Sequence, residues 1–335
     1  MLIPGWLGKA LPRPRTPWDW VLLVASTMAG VGMLPFLGLI AARLFSPDSN
    51  LILIWANAYT FWIYLPAYPV AVAALALRRW MAGGLAVVVV AFHFAWVLPD
   101  YLPAESIPAE ARSAPRLRLM TANVFYENPD ESGIADEVLD VDPDVLFFQE
   151  FNRDIGEALE ANGAAARLPF RQAARGKGYN IAIYSKFPFE DIVVLPAGSR
   201  GLIRATVRVE GIEVVLYDVH PSSPSPGETG EDWNAEWKAI TAMLNGAPGP
   251  LIVAGDFNMN QHHRWYRKLK DQGLDNCHEE RGRGNATTWP KNRKLRPIRI
   301  DQVFHSEGVV CLSIREGEGE GSDHRPLIAE LAILP

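Results

Sequence analysis

Residues 251–258 read Leu-Ile-Val-Ala-Gly-Asp-Phe-Asn, an apolar run that stops at the carboxylate of Asp256 and the amide of Asn258. Such a run predicts a buried strand that carries both side chains to the edge of a sheet. The same ending is also typical of an ordinary turn, because Asp and Gly are favoured in turns. The rest of the chain decides between these two interpretations.

Four other strand-like runs stop in the same way, each on a residue that can bind a metal, carry a proton or donate a hydrogen bond. Later in the chain, Ser-Asp-His-Arg-Pro at residues 322–326 adds Asp323 and His324. One such ending is usually a hydrogen-bonded polar cap, but the full set in one chain indicates a shared site. The four endings are Asn123 after residues 117–122, Glu150 after 145–149, His220 after 214–219 and Asp301 after 298–300.

The motifs at these endings, in this order along the chain, resemble those of the endonuclease/exonuclease/phosphatase superfamily. That superfamily includes DNase I-like nucleases, neutral sphingomyelinases and inositol-polyphosphate phosphatases. The resemblance covers roughly residues 116–333. The matching motifs are Thr-Ala-Asn at 121–123, Gln-Glu at 149–150, Asp-Val-His at 218–220, Gly-Asp-Phe-Asn at 255–258, Ile-Asp at 300–301 and Ser-Asp-His-Arg-Pro at 322–326.

The hydrophobic pattern of residues 116–335 alternates between strands and amphipathic helices, which predicts a mixed α/β domain. The resemblance implies a four-layer α/β/β/α sandwich of the DNase I-like type, with the active site at one end, where strand-terminal loops converge. Glu210-Gly211 predicts a tight hairpin turn. Predicted helices cover residues 131–139, 151–159, 233–244 and 264–269, and predicted strands cover 180–185, 203–209, 212–220, 251–254, 298–304, 309–314 and 327–333.

The residue types suit the hydrolysis of a phosphate ester. This reaction requires charge neutralisation on the phosphoryl oxygens, a positioned water and a proton for the leaving oxygen. Hard divalent cations prefer oxygen ligands, so Mg²⁺ or Mn²⁺ is the predicted cofactor. By resemblance, Glu150 and Asp323 are the metal ligands, and Asn123 orients Glu150 or the phosphate.

The resemblance also implies catalytic roles for five residues. Asp256 is similar to the residue that aligns or deprotonates the attacking water, and Asn258 to the amide that bonds a phosphate oxygen. His324 resembles the phosphate-side histidine, which Asp301 orients and keeps basic, and His220 would protonate the leaving group. Whether Asp256 or His324 is the general base stays open.

One departure narrows the choice of branch within the superfamily. In its abasic-site endonucleases, the position two residues after the Asn is an acidic metal ligand and the position of His220 is not histidine. Here Phe125 follows Asn123 at that spacing, so the chain resembles the DNase I and sphingomyelinase branches more closely. Residues 178–188 resemble a family strand-and-turn signature in which Asn180 either faces the substrate or caps the turn.

The N-terminal third of the chain is predicted to cross a membrane three times. Residues 20–42, 51–77 and 81–98 contain no Asp, Glu, Lys or Arg, and a spanning helix needs about 20 apolar residues. The predicted organisation is therefore a membrane domain at 1–98, a Pro-rich linker at 99–115 and the catalytic domain at 116–335.

Basic residues flanking the spans predict the orientation, because cytoplasmic loops are enriched in Lys and Arg. The predicted cytoplasmic side holds five basic residues and the opposite side two. The protein is thus predicted to be a multi-pass membrane protein with a cytoplasmic N-terminus and an extracytoplasmic catalytic domain. The five are Lys9, Arg13, Arg15, Arg78 and Arg79, and the two are Arg43 and Arg112.

The charge balance bears on the substrate. Residues 113–335 hold 25 Lys or Arg against 33 Asp or Glu, whereas strong duplex binders usually carry a basic surface. Local basic clusters are either a solvated face or a loop that contacts phosphates. The residues of these basic clusters are Arg167, Arg171, Arg175, Lys177, Lys291, Arg293, Lys294, Arg296 and Arg299.

Cys277 and Cys311 could pair in an oxidising compartment, and the sequence leaves this pairing open.

Three functional hypotheses follow. The first is a membrane-anchored phosphoesterase that hydrolyses a lipid-linked or head-group phosphate outside the cytoplasm, with the bilayer and the phosphate ester as its partners and no protein partner predicted. The second is a membrane-anchored extracellular nuclease, and the third is a non-catalytic phosphate-binding scaffold, against which the complete residue set argues. The architecture is similar to that of actinobacterial membrane proteins associated with glycopeptide-antibiotic resistance.

Overall fold

The computed structural model describes residues 16–175, 180–198, 200–225, 230–291 and 297–335. Contacts between Cα atoms divide the chain into two compact units. One contains residues up to Ala42 together with Ile63–Ala95, and the other contains Arg43–Trp62 together with Trp96–Pro335. The predicted boundaries at residues 98 and 115 stay predictions, but the structure groups segment 43–62 with the residues predicted to be catalytic.

The N-terminal region is helical. Pro17–Phe45 and Trp80–Tyr101 are long and apolar enough to cross a membrane. Where the sequence predicts a second span, the structure has two helical stretches, Leu51–Ala58 and Thr60–Ala76, bent by 79°. The described residues thus provide two candidate spans, or three if the bent pair is one span. The helices are α1 (Pro17–Phe45), α2 (Leu51–Ala58), α3 (Thr60–Ile63), α4 (Ala67–Ala76) and α5 (Trp80–Val97).

The second unit contains twelve strands and six helices in its described part after residue 96, besides two short 3-10 helices at Leu98–Tyr101 and Glu110–Arg112. The strands are β1 (Arg116–Asn123), β2 (Val145–Gln149), β3 (Phe170–Arg175), β4 (Asn180–Ser185), β5 (Phe189–Ala197), β6 (Arg200–Val209), β7 (Ile212–Val219), β8 (Leu251–Asp256), β9 (Asp275–Asn276), β10 (Asp301–His305), β11 (Val309–Glu316) and β12 (Leu327–Ile333). The helices are α6 (Glu131–Val141), α7 (Arg153–Ala161), α8 (Ala164–Arg167), α9 (Gly230–Leu244), α10 (Arg264–Asp271) and α11 (Cys277–Glu280).

The strands form two six-stranded sheets, ordered β11-β12-β1-β2-β4-β3 and β5-β6-β7-β8-β10-β9. Buried apolar residues from both sheets, such as Leu119 and Leu216, form the core between them. Outside the first sheet, Ile134 of α6 and Ile155 of α7 pack in a second cluster. Trp237 of α9 packs outside the second sheet. This is the α/β/β/α arrangement that the resemblance implies.

Several predicted elements are confirmed, and the strands that the sequence does not predict lie at sheet edges. Strands β4 and β12 have the predicted bounds, and Glu210 and Gly211 both have positive φ, 48° and 94°, as a tight hairpin turn requires. The predicted strand at 298–304 begins only at Asp301, because Ile298 forms an isolated bridge with Trp289. The sequence does not predict the edge strands β3, β5 and β9.

The glycine in the run 251–258, Gly255, is required by the close approach of strand β7. Strands β7 and β8 are parallel, with Val219 opposite Gly255. A Cβ atom on Gly255, whose φ is 143°, would lie 2.1 Å from the carbonyl oxygen of Val219. Only glycine permits this approach, and it brings the end of β7 beside Asp256.

Cys277 and Cys311 form a disulfide between α11 and β11, with their Cα atoms 5.4 Å apart. Both side chains are fully buried. The pairing settles the alternative that the sequence leaves open.

We expect the Cys277→Ala/Cys311→Ala variant to lose stability. The bond closes a loop with a sequence separation of 34, which corresponds to about 4 kcal/mol of loop entropy and a fall in Tm of about 10 °C. Thermal unfolding of the full chain in detergent measures this change. Reductant should lower the Tm of the wild type but leave that of the double variant unchanged, and a wild-type Tm insensitive to reductant would contradict the expectation.

Candidate active site

The predicted site residues meet because of the strand register. Parallel strands β1 and β2 place Asn123 opposite Gln149, so Glu150 follows at the same edge. Antiparallel strands β8 and β10 place Asp256 directly opposite Asp301. The sequence runs therefore end at one place, where they border a cavity of about 850 Å³.

Asp256 is the centre of the cluster. Its Oδ1 accepts a hydrogen bond from the backbone N–H of Asn258 at 2.9 Å, and its Oδ2 accepts one from Nδ2 of Asn123 at 3.0 Å. The same Oδ2 lies 3.6 Å from Nε2 of His220 and 3.9 Å from Nε2 of His324. Burial raises the pKa of Asp256 to about 7, an effect that the nearby His324 opposes.

His324 is held by a buried carboxylate. Its Nδ1 lies 2.9 Å from Oδ2 of Asp301, which leaves Nε2 directed towards Asp256. Burial alone would lower the pKa of His324, but the carboxylates of Asp301 and Asp256 outweigh burial and raise it to about 10. The arrangement favours an imidazolium between two acids.

His220 has the opposite electrostatic environment. Burial, together with the charges of Arg200 and His324, lowers its pKa well below the ordinary value. His220 is thus neutral in this arrangement. A phosphate placed beside it would favour the charged form again, because an opposite charge nearby stabilises the cation.

Glu150 is positioned by its backbone and by two donors. Its φ of 56° is unusual for a non-glycine residue. Its Oε1 accepts a hydrogen bond from Nδ2 of Asn123 at 3.3 Å, and its Oε2 accepts one from the N–H of Tyr126 at 3.0 Å. Asn123 therefore connects Glu150 to Asp256. Phe125 and Asn258 also have positive φ, as strained residues at functional sites often do.

The chemistry of the donor set fits a hard divalent cation. Glu150 is half-buried, and both it and Asp323 line the cavity. Oδ2 of Asp323 accepts a hydrogen bond from Nε1 of Trp289 at 2.8 Å. Asp256, Asp301 and His324 also group their possible ligand atoms within 4.8 Å of one another. Oxygen-rich sites of this kind suit Mg²⁺ or Mn²⁺.

Asn180 is not among the residues that line the active-site cavity. The backbone oxygen of Asn180 accepts a hydrogen bond from Phe151, the residue after Glu150, but Asn180 borders a neighbouring pocket. Its role in substrate binding stays a prediction.

The described residues of the predicted basic clusters make contacts within the protein. Arg167 and Arg171 are paired with acidic residues, and Lys291 donates to a backbone oxygen. Arg299 is buried and donates to the backbone oxygen of Gly284. The side chain of Arg175, together with Lys177, Arg293, Lys294 and Arg296, lies outside the described residues.

The structure adds residues that the sequence motifs do not contain. Arg200 lines the cavity, and its Nε donates to the hydroxyl of Ser222 at 3.0 Å. Trp289 also lines the cavity, where its Nε1 donates to Oδ2 of Asp323. Residues Ile54, Trp55, Ala58 and Tyr59 of the N-terminal segment also border the cavity. Arg200 begins an edge-proximal strand and carries no motif, so only its burial beside the site identifies it.

Solved structures show the same fold. Humanized D. rerio TDP2 is 18% identical with a TM-score of 0.56, over 64% of this chain and 98% of that chain. An endonuclease/exonuclease/phosphatase from Beutenbergia cavernae is 19% identical with a TM-score of 0.52, over 66% and 72%. The human Nocturnin catalytic domain with bound sulfate is 18% identical with a TM-score of 0.53, over 66% and 95%. At these identities the likeness shows the fold alone.

The comparison with curated proteins finds no match. The similarity to glycopeptide-resistance membrane proteins therefore stays a prediction. A model of the endonuclease/exonuclease/phosphatase family, which is typically divalent-metal dependent, matches residues 120–324, and this range contains all of the predicted site residues. Because that match covers well over half of the chain, the chain belongs to the endonuclease/exonuclease/phosphatase family and is a phosphoric-ester hydrolase.

Proposed function

We propose that this protein is a membrane-anchored, divalent-metal-dependent phosphoesterase that hydrolyses a lipid-linked or head-group phosphate outside the cytoplasm. The observation that carries the proposal is the lining of the cavity. Among the described residues around it, Arg200 is the one Lys or Arg, whereas Glu127, Glu150, Asp256 and Asp323 are acidic. A nuclease that follows a long strand of phosphates needs a basic groove. This cavity suits one phosphate bound through a metal.

The metal would be held by Glu150 and Asp323. When bound, it supplies charge neutralisation on the phosphoryl oxygens. Asn123 then positions Glu150 through the 3.3 Å hydrogen bond between their side chains. Magnesium is the proposed ion, with manganese as its substitute.

The residues of the chain perform the proton transfers. Asp256, fixed by the N–H of Asn258 and the amide of Asn123, would orient the attacking water and accept its proton. His324, held by Asp301, would donate a hydrogen bond to a phosphate oxygen, as would the Asn258 amide. His220, protonated when the phosphate is bound, would give its proton to the leaving oxygen.

The location outside the cytoplasm is supported by two observations. The basic residues around the predicted spans favour it, and the disulfide suits an oxidising compartment. Segment 43–62 belongs to the same compact unit as residues 96–335, so the proposal puts both parts on that same side of the membrane.

A substrate panel tests the proposal. The full chain in detergent would be assayed with Mg²⁺ against a long-chain alkyl phosphate, a phospholipid, nucleotides and single- and double-stranded DNA. We expect turnover of the lipid phosphates and weak cleavage of DNA. DNA degraded faster than every lipid phosphate, with the steep salt dependence of a basic groove, would favour the nuclease instead.

Glu150→Gln should raise the Mg²⁺ concentration that gives half-maximal activity by roughly tenfold or more, because the amide keeps one acceptor oxygen but loses the charge that faces the cation. A metal titration of the activity measures this shift. The matched control is Glu157→Gln, which makes the same change at an exposed residue paired with Arg153. Equal metal requirements in both variants would remove Glu150 from the metal site.

A further inference from the structure

The N-terminal segment around α2 is built into the catalytic unit through a buried carboxylate. Asp48 is fully buried. Its Oδ2 accepts a hydrogen bond from the backbone N–H of Arg264 at 2.6 Å, and its backbone oxygen accepts one from Nδ2 of Asn234 at 2.9 Å. Its Oδ1 accepts one from Nδ2 of Asn57 within the segment itself. A buried charge satisfied in this way fixes the segment in place.

The helix α2 is also held at its far end. The backbone oxygen of Ala58 accepts a hydrogen bond from Nδ2 of Asn260 at 2.6 Å, and that of Ile54 lies 3.1 Å from Nε2 of His263. The side chain of Ile54 is fully buried in the core cluster that contains Trp233. The polar and apolar contacts together make α2 a wall of the catalytic unit.

One face of this wall borders the active-site cavity. Ile54, Trp55, Ala58 and Tyr59 line it together with Asp256 and other predicted site residues, and their spacing is that of one helical face. The indole of Trp55 is fixed because its Nε1 donates to the backbone oxygen of Pro224 at 2.6 Å. The rings of Trp55 and Tyr59 are stacked, with centroids 5.9 Å apart. Trp55 remains 42% exposed, so its ring surface is available to a ligand.

We propose that α2 forms the hydrocarbon-binding wall of the active site, with Trp55 and Tyr59 as the residues that select a phosphate ester carrying a long hydrocarbon chain. The inference rests on the proposed function and specifies its substrate. The four residues of the wall carry no charge, whereas the same cavity is also lined by the site residues Glu150, His220, Asp256, Asp323 and His324. A ligand with one phosphate and an adjoining apolar chain satisfies both surfaces.

The role of α2 determines which form of the protein should be assayed. A soluble fragment that begins near residue 112 contains all the motif residues but lacks α2. We therefore expect such a fragment to lose the preference for long-chain esters. The full chain is the appropriate protein.

The test uses the full chain in detergent and two alkyl phosphate esters that share one head group, a butyl and a hexadecyl ester. Trp55→Ala should lower kcat/KM for the hexadecyl ester by about tenfold and for the butyl ester by less than about twofold, because the proposed contact of the indole with the ligand is apolar and is made by the long chain. Trp55→Phe, which keeps most of that area but not the Nε1 donor, should retain most of the activity. The matched control is Ile52→Ala on the same helix, at a residue that is 75% exposed.

A binding measurement separates this inference from the proposed function. Butyl and hexadecyl phosphonates cannot be hydrolysed at their carbon–phosphorus bond, and calorimetry gives their Kd in the presence of Mg²⁺. We expect Trp55→Ala to weaken binding of the hexadecyl compound alone, even in the absence of any turnover. Equal loss for both chain lengths, or no loss for either, would overturn the inference. Absent turnover with the expected binding difference would instead count against the proposed hydrolysis.

Discussion

Asp256→Asn should lower kcat by roughly 10² or more while KM changes little. The substitution keeps the size and the acceptor oxygen but removes the charge, so it removes a contribution made mainly in the transition state. Asp256 lies within 3.6 Å of Nε2 of His220 and 3.9 Å of Nε2 of His324. No other carboxylate in the described residues adjoins both histidines in this way, so a neighbour cannot replace it. Steady-state kinetics with the best lipid phosphate of the panel measure the effect.

The control for Asp256→Asn is the same change at an exposed position in the same sheet. Asp275 lies on β9 and pairs with Lys270 at 2.8 Å, so Asp275→Asn should leave kcat unchanged. Thermal unfolding of both variants excludes a folding defect. If kcat of Asp256→Asn equalled that of Asp275→Asn, Asp256 would have no role in activating water.

The residues of the predicted site could be identified from the sequence because the signal for each one, an apolar run followed by a polar residue, lies within a few consecutive positions. An apolar run that stops at Asp256 or Glu150 shows both the strand and the side chain at its end. The register then follows from the fold: β7 and β8 are parallel, and β10 returns antiparallel beside β8. The convergence of these endings needed the family resemblance, since the sequence alone does not specify which strands are neighbours.

The wall formed by α2 could not be predicted in this way. The side chains of Leu51–Ala58 are apolar apart from Asn57, and apolar helices look alike in sequence whether they are buried in lipid or in protein. The contacts of Trp55 and Ala58 lie about 170 and 200 residues away in the chain. The polar residues Asp48, Asn50 and Asn57 were the available signal. Asn50 caps the helix by accepting from the N–H of Leu53.

The sequence does not predict the position of Arg200 or the edge strand β5, for a related reason. A buried arginine in an active site has the same sequence signature as an exposed one, and its position depends on Ser222 and on Glu236, which binds Ser222 in turn. Strand β5 contains Pro196, which argues against a central strand but is tolerated at an edge. Both features depend on contacts that no local pattern records.

His324→Ala should lower kcat by roughly 10² or more, and Asp301→Ala should have a weaker effect of the same kind. Asp301 contacts the imidazole through the 2.9 Å approach of Oδ2 to Nδ1, and it influences the reaction mainly by orienting that ring. Without the imidazole, Asp301 has nothing to orient. The double variant should therefore cost little activity beyond His324→Ala alone, as expected for residues that act as a unit.

Stability provides an independent readout for the same pair. Both residues are buried, with 2% of Asp301 and 5% of His324 exposed. His324→Ala leaves the carboxylate of Asp301 buried without its cationic partner, which is costly, whereas the double variant removes the stranded charge as well. We therefore expect the double variant to have a higher Tm than His324→Ala although its kcat is no higher. Additive losses of activity together with additive losses of stability would show that Asp301 and His324 act separately, and the carboxylate would then have no orienting role.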